Sequence, residues 1–198
     1  MSDCTTRIIS IEGNIGTGKS TFIQNLQNRI EPSKDIIFLQ EPVDDWNSIK
    51  DENNVTILER YYADQDKFAF QFQMMAYISR IALLRKALRQ KPRIIITERS
   101  VMTDKNVFAS MLKADNKIDH IGYAIYERWF NEFLTDLPTF TFVYLRCSPE
   151  ISASRVAKRN RPGEKIPLEY LQRCHTYHDK WLISGDKESY ASHQNATL

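Results

Sequence analysis

The sequence has 198 residues, of which 42% are hydrophobic and 26% charged, values typical of one globular domain with a sizeable core. The net charge of +2 gives no electrostatic reason to expect a nucleic-acid partner, and no apolar run approaches the ~20 residues of a membrane span. Cys4, Cys147 and Cys174 are scattered and odd in number, which favours free thiols over disulfides or a metal site. We therefore expect a cytoplasmic enzyme, with the nucleus or the mitochondrion as alternatives.

Four short apolar runs rich in β-branched and aromatic residues each predict a fully buried strand, at 7–11, 36–39, 94–97 and 140–145. Helical patterns occupy the other intervals, at 19–30, 66–91, 104–114, 120–135, 149–160 and 167–183. Strands that alternate with helices indicate an α/β fold, with a central parallel sheet in a three-layer sandwich. No linker or repeat divides the chain, so residues 1–198 are predicted to form a single domain.

The most specific local pattern is GNIGTGKS at 13–20, which matches G-x-x-x-x-G-K-[ST] between a predicted strand and a predicted helix. Its glycines allow a tight turn whose N–H groups converge on phosphate oxygens at a helix N-terminus. In such a P-loop, Lys19 reaches the β- and γ-phosphates of ATP and the Ser20 hydroxyl ligates Mg²⁺. The predicted phosphate-binding residues here are Gly13, Asn14, Ile15, Gly16, Thr17, Gly18, Lys19, Ser20 and Thr21.

Charged residues follow the second and third predicted strands, Glu41 after the second and Glu98-Arg99 after the third. Ligands collect at the carboxyl ends of the strands in an open α/β sheet, so both groups are expected to face the P-loop. A hydroxyl acceptor is helped by a carboxylate that takes its proton, whereas a phosphate acceptor needs cationic clamps. Glu41 supplies the carboxylate, and Gln40 before it is uncharged. The pattern therefore favours phosphoryl transfer to a hydroxyl.

The helix predicted at 66–91 carries Gln73 and Arg80 on nearly the same face, two turns apart. Such polar residues fit an aromatic-rich core badly unless they have polar partners, and Asp104 is the natural partner of Arg80. The alternative to a binding site is a structural salt bridge.

A basic segment follows the fourth predicted strand, with Arg155 and Arg159 at i and i+4 and Arg161 before Pro162-Gly163. We interpret it as a lid whose arginines bind the ATP phosphates and neutralise charge on the transferred group. The alternative is a solvated basic face of a helix.

Five segments, taken together and in their order along the chain, resemble the deoxynucleoside kinase family, which includes deoxycytidine, deoxyguanosine and mitochondrial thymidine kinases. They are GNIGTGKS at 13–20, EPVDDW at 41–46, FQMMAYISR at 72–80, ERSVMTD at 98–104 and IPLEYL at 166–171. The resemblance extends over about residues 7–183. The amino-acid sequence of the lid, however, resembles herpesvirus thymidine kinases more closely than the animal enzymes.

The resemblance implies roles for particular residues. Glu41 resembles the general base on the 5′-hydroxyl, Arg99 the arginine beside that base, and Ser20 with Glu98 the Mg²⁺ site. Tyr62 and Glu164 resemble the pair that binds the sugar 3′-hydroxyl, and Gln73 resembles the glutamine that hydrogen-bonds the edge of the base. Phe72 and Phe108 resemble residues that stack or pack on the base ring. The other residues that resemble the lining of the same pocket are Ile15, Trp46 and Leu58.

The same resemblance indicates the preferred base. In the family, thymidine-preferring members carry smaller or apolar residues where this chain has Arg80 and Asp104. We therefore expect deoxycytidine, with purine deoxynucleosides as second substrates. The resemblance also implies a homodimer built on long helices.

Three alternatives differ in acceptor or class. One is a thymidine-preferring or broad-specificity deoxynucleoside kinase. Another is a nucleoside monophosphate kinase, which shares the P-loop and a basic lid but carries an arginine before Glu41-Pro42 that this chain lacks. The third is a GTP-binding switch protein, because residues 116–119 read N-K-x-D; that motif should end a buried strand, and SMLKAD before it predicts a helix end.

The family continues after the helix that ends near Trp181 into a fifth strand, a loop over the adenine of ATP and a final helix. Here ISGDKESYASHQNATL follows. We therefore expect either a domain shortened at its C-terminus or one that begins the fifth strand at its last residues. In both cases no adenine-binding residues are assigned.

Overall fold

The computed structural model describes residues 6–161, 164 and 166–185. Four strands form one sheet in the order β2-β3-β1-β4, with every neighbouring pair parallel. They are β1 (Arg7–Glu12), β2 (Ile36–Leu39), β3 (Ile94–Glu98) and β4 (Phe140–Tyr144). The parallel sheet that alternation of strands and helices predicts is therefore confirmed. Cys4, Pro162-Gly163 and the segment after residue 185 that concerns the adenine site lie outside the described residues.

The six predicted helical regions are present within a few residues of their predicted ends. The helices are α1 (Lys19–Arg29), α2 (Val43–Ser48), α3 (Ile57–Ala63), α4 (Gln65–Leu88), α5 (Val101–Thr103), α6 (Ser110–Ala114), α7 (His120–Leu134), α8 (Pro149–Arg159) and α9 (Leu168–Leu182). A π-helical turn at Asp104–Ala109 joins α5 to α6. Among the helices so described, none is long and apolar enough to cross a bilayer.

Helices α2 and α3, which lie between Glu41 and α4, were not predicted from the sequence. Helix α3 begins with a capping box, in which the Thr56 side chain accepts from the Glu59 backbone and the Glu59 carboxylate accepts from Thr56. The T-x-x-E spacing was therefore a usable signal in the sequence.

The described residues form three hydrophobic clusters: one on the α1 side of the sheet, a larger one that contains α4 and α7, and one between the π-helical turn, α6 and α9. Ile23 of α1 joins Ile11 and Ile96 in one hydrophobic cluster, and Ile8 and Ile95 join the larger cluster that contains α4 and α7. This is the predicted three-layer arrangement, in which the carboxyl ends of all four strands lie at one edge.

The prediction that every strand is fully buried was wrong for β2 and β4. Both lie at the edges of the described sheet; β2 is half-buried along its length, and β4 alternates. Thr141 and Val143 of β4 are exposed on the face where α1 covers β1 and β3, because α1 lies over the middle of the sheet.

Candidate active site

A cavity of about 1180 Å³ opens at the carboxyl edge of the sheet. Its walls come from the segments that follow the four strands: the P-loop after β1, Glu41 after β2, Glu98-Arg99 after β3 and Leu145–Cys147 after β4. Helix α4 closes one side, and Arg155, Arg159, Arg161 and Glu164 close another. The volume is large enough for two ligands side by side.

The P-loop packs tightly on neighbouring backbone, and this requires glycine. Gly13 and Gly16 have φ of 148° and 81°, and a Cβ on either would lie 2.5 Å from a carbonyl oxygen, that of Leu145 or of Ser152. The loop is thereby fixed against the ends of β4 and α8.

Polar contacts orient the loop and the first residues of α1. Lys19 Nζ donates to the Asn14 carbonyl at 2.7 Å, and burial lowers the pKa of Lys19 to about 7. The Asn14 amide donates to the Leu171 carbonyl at 2.8 Å, which ties the P-loop to α9. Ser20 Oγ donates to Glu98 Oε1 at 2.8 Å, so this hydroxyl and this carboxylate form one oxygen-rich corner of the cavity.

Glu41 is held by two arginines from different elements. Its Oε1 accepts from Arg99 Nη1 at 2.7 Å and from Arg80 Nη2 at 3.1 Å. Burial alone would raise the pKa of Glu41, but the charges of Arg99, Arg80 and Lys19 outweigh burial and lower it to about 2. The side chain is therefore a carboxylate at any physiological pH. Among the described residues no hydrogen bond engages its Oε2, which is free to accept a proton.

Arg80 and Asp104 form the buried pair that their spacing predicts. Arg80 Nε donates to Asp104 Oδ2 at 2.9 Å, and Arg80 Nη1 donates to the Glu98 carbonyl at 2.9 Å. Burial raises the pKa of Asp104 to about 6, against the lowering effect of Arg80. Arg80 thus links the strand ends to the π-helical turn.

Part of the cavity wall consists of aromatic rings and one buried amide whose oxygen has no hydrogen-bond partner among the described residues. Gln73 is 2% exposed, and its Oε1 has no hydrogen-bond partner among the described residues. The Phe72 ring stacks on Tyr61 with centroids 4.6 Å apart and meets Trp46 edge-on at 5.4 Å. A buried acceptor beside aromatic rings suits a planar ligand that carries a donor.

The basic segment contacts both the P-loop and a buried carboxylate. Arg155 Nη1 donates to the Thr17 carbonyl at 2.9 Å. Arg159 Nη2 lies 2.6 Å from both oxygens of Glu164, and Arg161 Nη1 lies 4.0 Å from Glu164 Oε1. Burial, followed by the charge of Glu164, raises the pKa of Tyr62 well above its usual range. Arg159 and Arg161, which were predicted to bind the ATP phosphates, therefore lie against Glu164, which was predicted to bind the sugar. This pairing was not predicted from the sequence.

The structure brings the predicted residues together almost completely. All of them line the cavity except Gly13 and Asn14, the first two residues of the P-loop. The walls also contain the remaining predicted residues, Ile15, Gly18, Thr21, Leu58 and Phe108. Other lining residues were not predicted from the sequence: Phe22, Asn25, Tyr61, Ala76, Tyr144, Leu145, Arg146, Cys147 and Tyr170. Arg146 and Cys147 follow β4, so the same rule of strand ends would have found them.

Residues 116–119, which match the guanine-reading motif, have structural roles instead. They follow α6 and not a strand; Lys117 Nζ pairs with Asp66 at 2.8 Å, and Asp119 caps α7 through Gly122 N at 2.6 Å. None of the four lines the cavity described above. The geometry thus offers no support for a GTP-binding switch.

Comparisons with known proteins agree with one another. A family model described as deoxynucleoside kinase matches residues 9–195. Deoxycytidine kinase of Homo sapiens is 36% identical over 203 residues, covering 90% of this chain and 76% of that protein. The probable deoxycytidine kinase FPV151 of fowlpox virus (strain NVSL) is 34% identical over 190 residues, covering 94% and 76%. Mitochondrial thymidine kinase 2 of Homo sapiens is 32% identical over 181 residues, covering 90% of this chain and 65% of that protein.

Proposed function

The chain belongs to the deoxynucleoside kinase family, and we propose that it transfers the γ-phosphate of ATP to the 5′-hydroxyl of deoxycytidine. The observation that carries the choice of base is the buried Arg80–Asp104 pair, which lines the same cavity as Gln73 and the P-loop. Deoxyadenosine is the expected second substrate.

The base is chosen by hydrogen-bond polarity. Cytosine presents an amino group, N4–H₂, beside the acceptor N3. The Gln73 amide can accept from N4 and donate to N3, and Asp104 can accept the second N4 proton because a carboxylate has room for several donors. Thymine places a carbonyl oxygen where cytosine has its amino group. A Gln amide can turn to suit it, but a carboxylate cannot, so thymidine is disfavoured. Adenine repeats the amino-and-acceptor pattern, and guanine does not.

The transfer itself needs a general base, cationic side chains that stabilise the charge of the phosphoryl group, and a metal ion. Glu41 Oε2 takes the proton of the 5′-hydroxyl as that oxygen bonds the γ-phosphorus and the bond to ADP breaks. Arg99 has two buried donors, Nε and Nη2, with no partner in the described part of the chain, and these suit the oxygens of the transferred group. Together with Lys19 and the arginines at 155, 159 and 161, it would stabilise the charge that moves to ADP.

The corner formed by Ser20 and Glu98 fits Mg²⁺. Both ligands are oxygens, as this hard cation prefers, and Mg²⁺ is commonly held by one or two protein oxygens together with the phosphates. When bound, the ion would neutralise the β- and γ-phosphate oxygens.

A phosphate-transfer assay tests the proposal directly. The acceptors are the four deoxynucleosides and their monophosphates, each with ATP and Mg²⁺. We expect deoxycytidine to be phosphorylated with the highest kcat/KM. Transfer to monophosphates alone would identify a nucleoside monophosphate kinase, and a preference for thymidine would contradict the argument from Asp104.

Removal of the metal ligand has a separate signature. Ser20→Ala is expected to raise the Mg²⁺ concentration for half-maximal activity by about tenfold or more, the scale of loss at metal sites. The measurement is a Mg²⁺ titration at saturating ATP and deoxycytidine. Ser48→Ala, an exposed hydroxyl on α2, is the control. An unchanged titration in Ser20→Ala would remove Ser20 from the metal site.

The two buried carboxyls should give different pH profiles. The pKa of Glu41 is lowered to about 2, so protonation of Glu41 should not lower kcat between pH 8 and pH 5. Over the same range Lys19, whose pKa is lowered to about 7, gains a proton and so adds a cation at the phosphates. The pKa of Asp104 is raised to about 6, so below that pH its carboxyl gains a proton and kcat/KM for deoxycytidine should fall. Steady-state kinetics at each pH separate the two, and the fall in kcat/KM should vanish in Asp104→Asn. A parallel fall in kcat would show that the base itself titrates there.

We also propose a homodimer that uses α4 and α7. Ile121, Ile125 and Trp129 follow one another at i+4 spacing on α7 and are 72%, 42% and 45% exposed. Ile78 on α4, the helix that packs against α7, is exposed as well. A second copy would bury this apolar stripe, in line with the expectation from the family.

Ile125→Glu should convert the dimer to a monomer, because a charge would be buried at the centre of the stripe. Light scattering after size-exclusion chromatography measures the mass. Ile151→Glu, at an equally exposed position on α8, is the matched control. A monomeric wild-type chain would contradict the proposal.

The thiols support a proposal for the cellular location. Cys147 and Cys174 are both free, which suits a reducing compartment, and we propose the cytoplasm.

A further inference from the structure

A fully buried carboxylate lies beside the catalytic groups without lining the cavity. Glu12 ends β1, and its side chain is 0% exposed. Its Oε1 accepts from Ser10 Oγ at 2.7 Å and from Ser100 Oγ at 2.6 Å, and its Oε2 accepts from Thr103 Oγ1. It takes part in neither the proposed substrate binding nor the proposed proton transfer.

Two of its three donors belong to the segment that follows Arg99. Ser100 and Thr103 form a capping box at the start of α5, in which the Thr103 hydroxyl accepts from the Ser100 N–H at 3.4 Å and the Thr103 N–H donates to the Ser100 carbonyl at 3.1 Å. A carboxylate is a pure acceptor, so it fixes both hydroxyl protons toward itself and leaves the Thr103 hydroxyl oxygen to accept from the Ser100 N–H. Glu12 thus sets the polarity of this helix start and ties it to β1.

Arg99 occupies a disfavoured backbone conformation between two anchored points. Its φ is 60°, in the left-handed region that side chains with a Cβ rarely adopt. On one side its N–H donates to the Ile11 carbonyl at 3.0 Å, and on the other side Ser100 is held by Glu12. Such a conformation persists only where the surroundings fix it.

We propose that Glu12 is a positioning residue for Arg99, and this inference rests on the proposed phosphoryl transfer. Holding Ser100 and Thr103 against β1 keeps Arg99 in the left-handed conformation that directs its guanidinium onto Glu41 and over the Phe108 ring, 5.4 Å away. Without Glu12, the segment 99–103 can relax, and the Arg99 side chain leaves the line of transfer.

A double-mutant cycle separates positioning from a general structural role. Glu12→Ala should lower kcat by about tenfold or more while the KM for ATP changes little, since the P-loop is untouched. Arg99→Met should also lower kcat by about tenfold or more. In the Arg99→Met background, Glu12→Ala should then lower kcat by less than about twofold, because the residue it positions is gone.

The control within the network is Ser10→Ala, which removes a donor that does not touch the segment 99–103. It should leave kcat within about threefold of the wild-type value. Glu12→Gln should recover part of the kcat that Glu12→Ala loses, because an amide oxygen can still accept from Ser100. If Glu12→Ala does not fold, the cycle is run with Thr103→Val, which removes the hydroxyl that ties the segment 99–103 to Glu12 Oε2.

Equal factors of loss in both backgrounds would overturn the inference, as would an undiminished kcat in either single variant. A wild-type chain that phosphorylates no deoxynucleoside would contradict the proposed function instead, so the two failures are distinguishable.

Discussion

Glu41→Gln is expected to lower kcat by roughly 10²–10⁴-fold while ATP still binds. The substitution keeps the shape of the side chain and an oxygen for Arg99 and Arg80, but it removes the carboxylate that accepts the 5′-hydroxyl proton. Because the pKa of Glu41 is lowered to about 2, the wild-type residue is fully available as a base at neutral pH. The loss should therefore be nearly the same at pH 6 and pH 8.

The measurement is single-turnover transfer from ATP to deoxycytidine, together with ATP binding by calorimetry. Asp45→Asn, an exposed acid four residues further along the chain, is the matched control and should leave kcat unchanged. Thermal unfolding of Glu41→Gln must also be followed, because the change leaves two buried arginines without their shared negative charge. Near-normal turnover in a folded Glu41→Gln variant would remove Glu41 from the role of base.

The sequence was sufficient where one local rule governs the position of a residue. The P-loop, the groups at the ends of β2 and β3, and the common face of Gln73 and Arg80 each follow from a motif, a strand end or helical periodicity. These rules place a side chain relative to its own element. They are reliable here because a parallel sheet gathers all its strand ends at one edge.

Contacts between distant elements could not be read in the same way. Nothing local to Glu41 indicates that it is shared by Arg80 and Arg99, or that Glu164 pairs with Arg159. The π-helical turn at Asp104–Ala109 was also missed, since its i+5 hydrogen bonds depend on the packing of α4, α9 and the turn itself. The first residue of the turn, Asp104, contacts Arg80. The pairing of these two side chains was therefore predicted correctly, whereas the π-helical backbone at Asp104 was not.

The double variant Arg80→Leu/Asp104→Ala is expected to reverse the preference for deoxycytidine over thymidine. Without Asp104 no carboxylate faces the carbonyl oxygen of thymine, and the Gln73 amide can turn to bond that base as well as it bonds cytosine. The ratio of kcat/KM values, deoxycytidine over thymidine, should fall by at least about 10²-fold. Direct competition between the two nucleosides in one reaction measures this ratio without reference to the active fraction.

Arg80 has to be changed together with Asp104, because Asp104 is buried and Arg80 is its cationic partner. Arg80→Leu alone would leave Asp104 buried without its cation, a loss of about 3–5 kcal/mol in buried pairs, and should fold poorly. Asp104→Ala alone leaves Arg80 bonded to Glu41 and to the Glu98 carbonyl, so it should fold and show part of the change in ratio. Absolute kcat will fall in the double variant, since Arg80 also holds Glu41. A double variant that folds and keeps the original ratio would show that the selectivity resides elsewhere in the cavity, with the Gln73 amide and its aromatic neighbours as the remaining candidates.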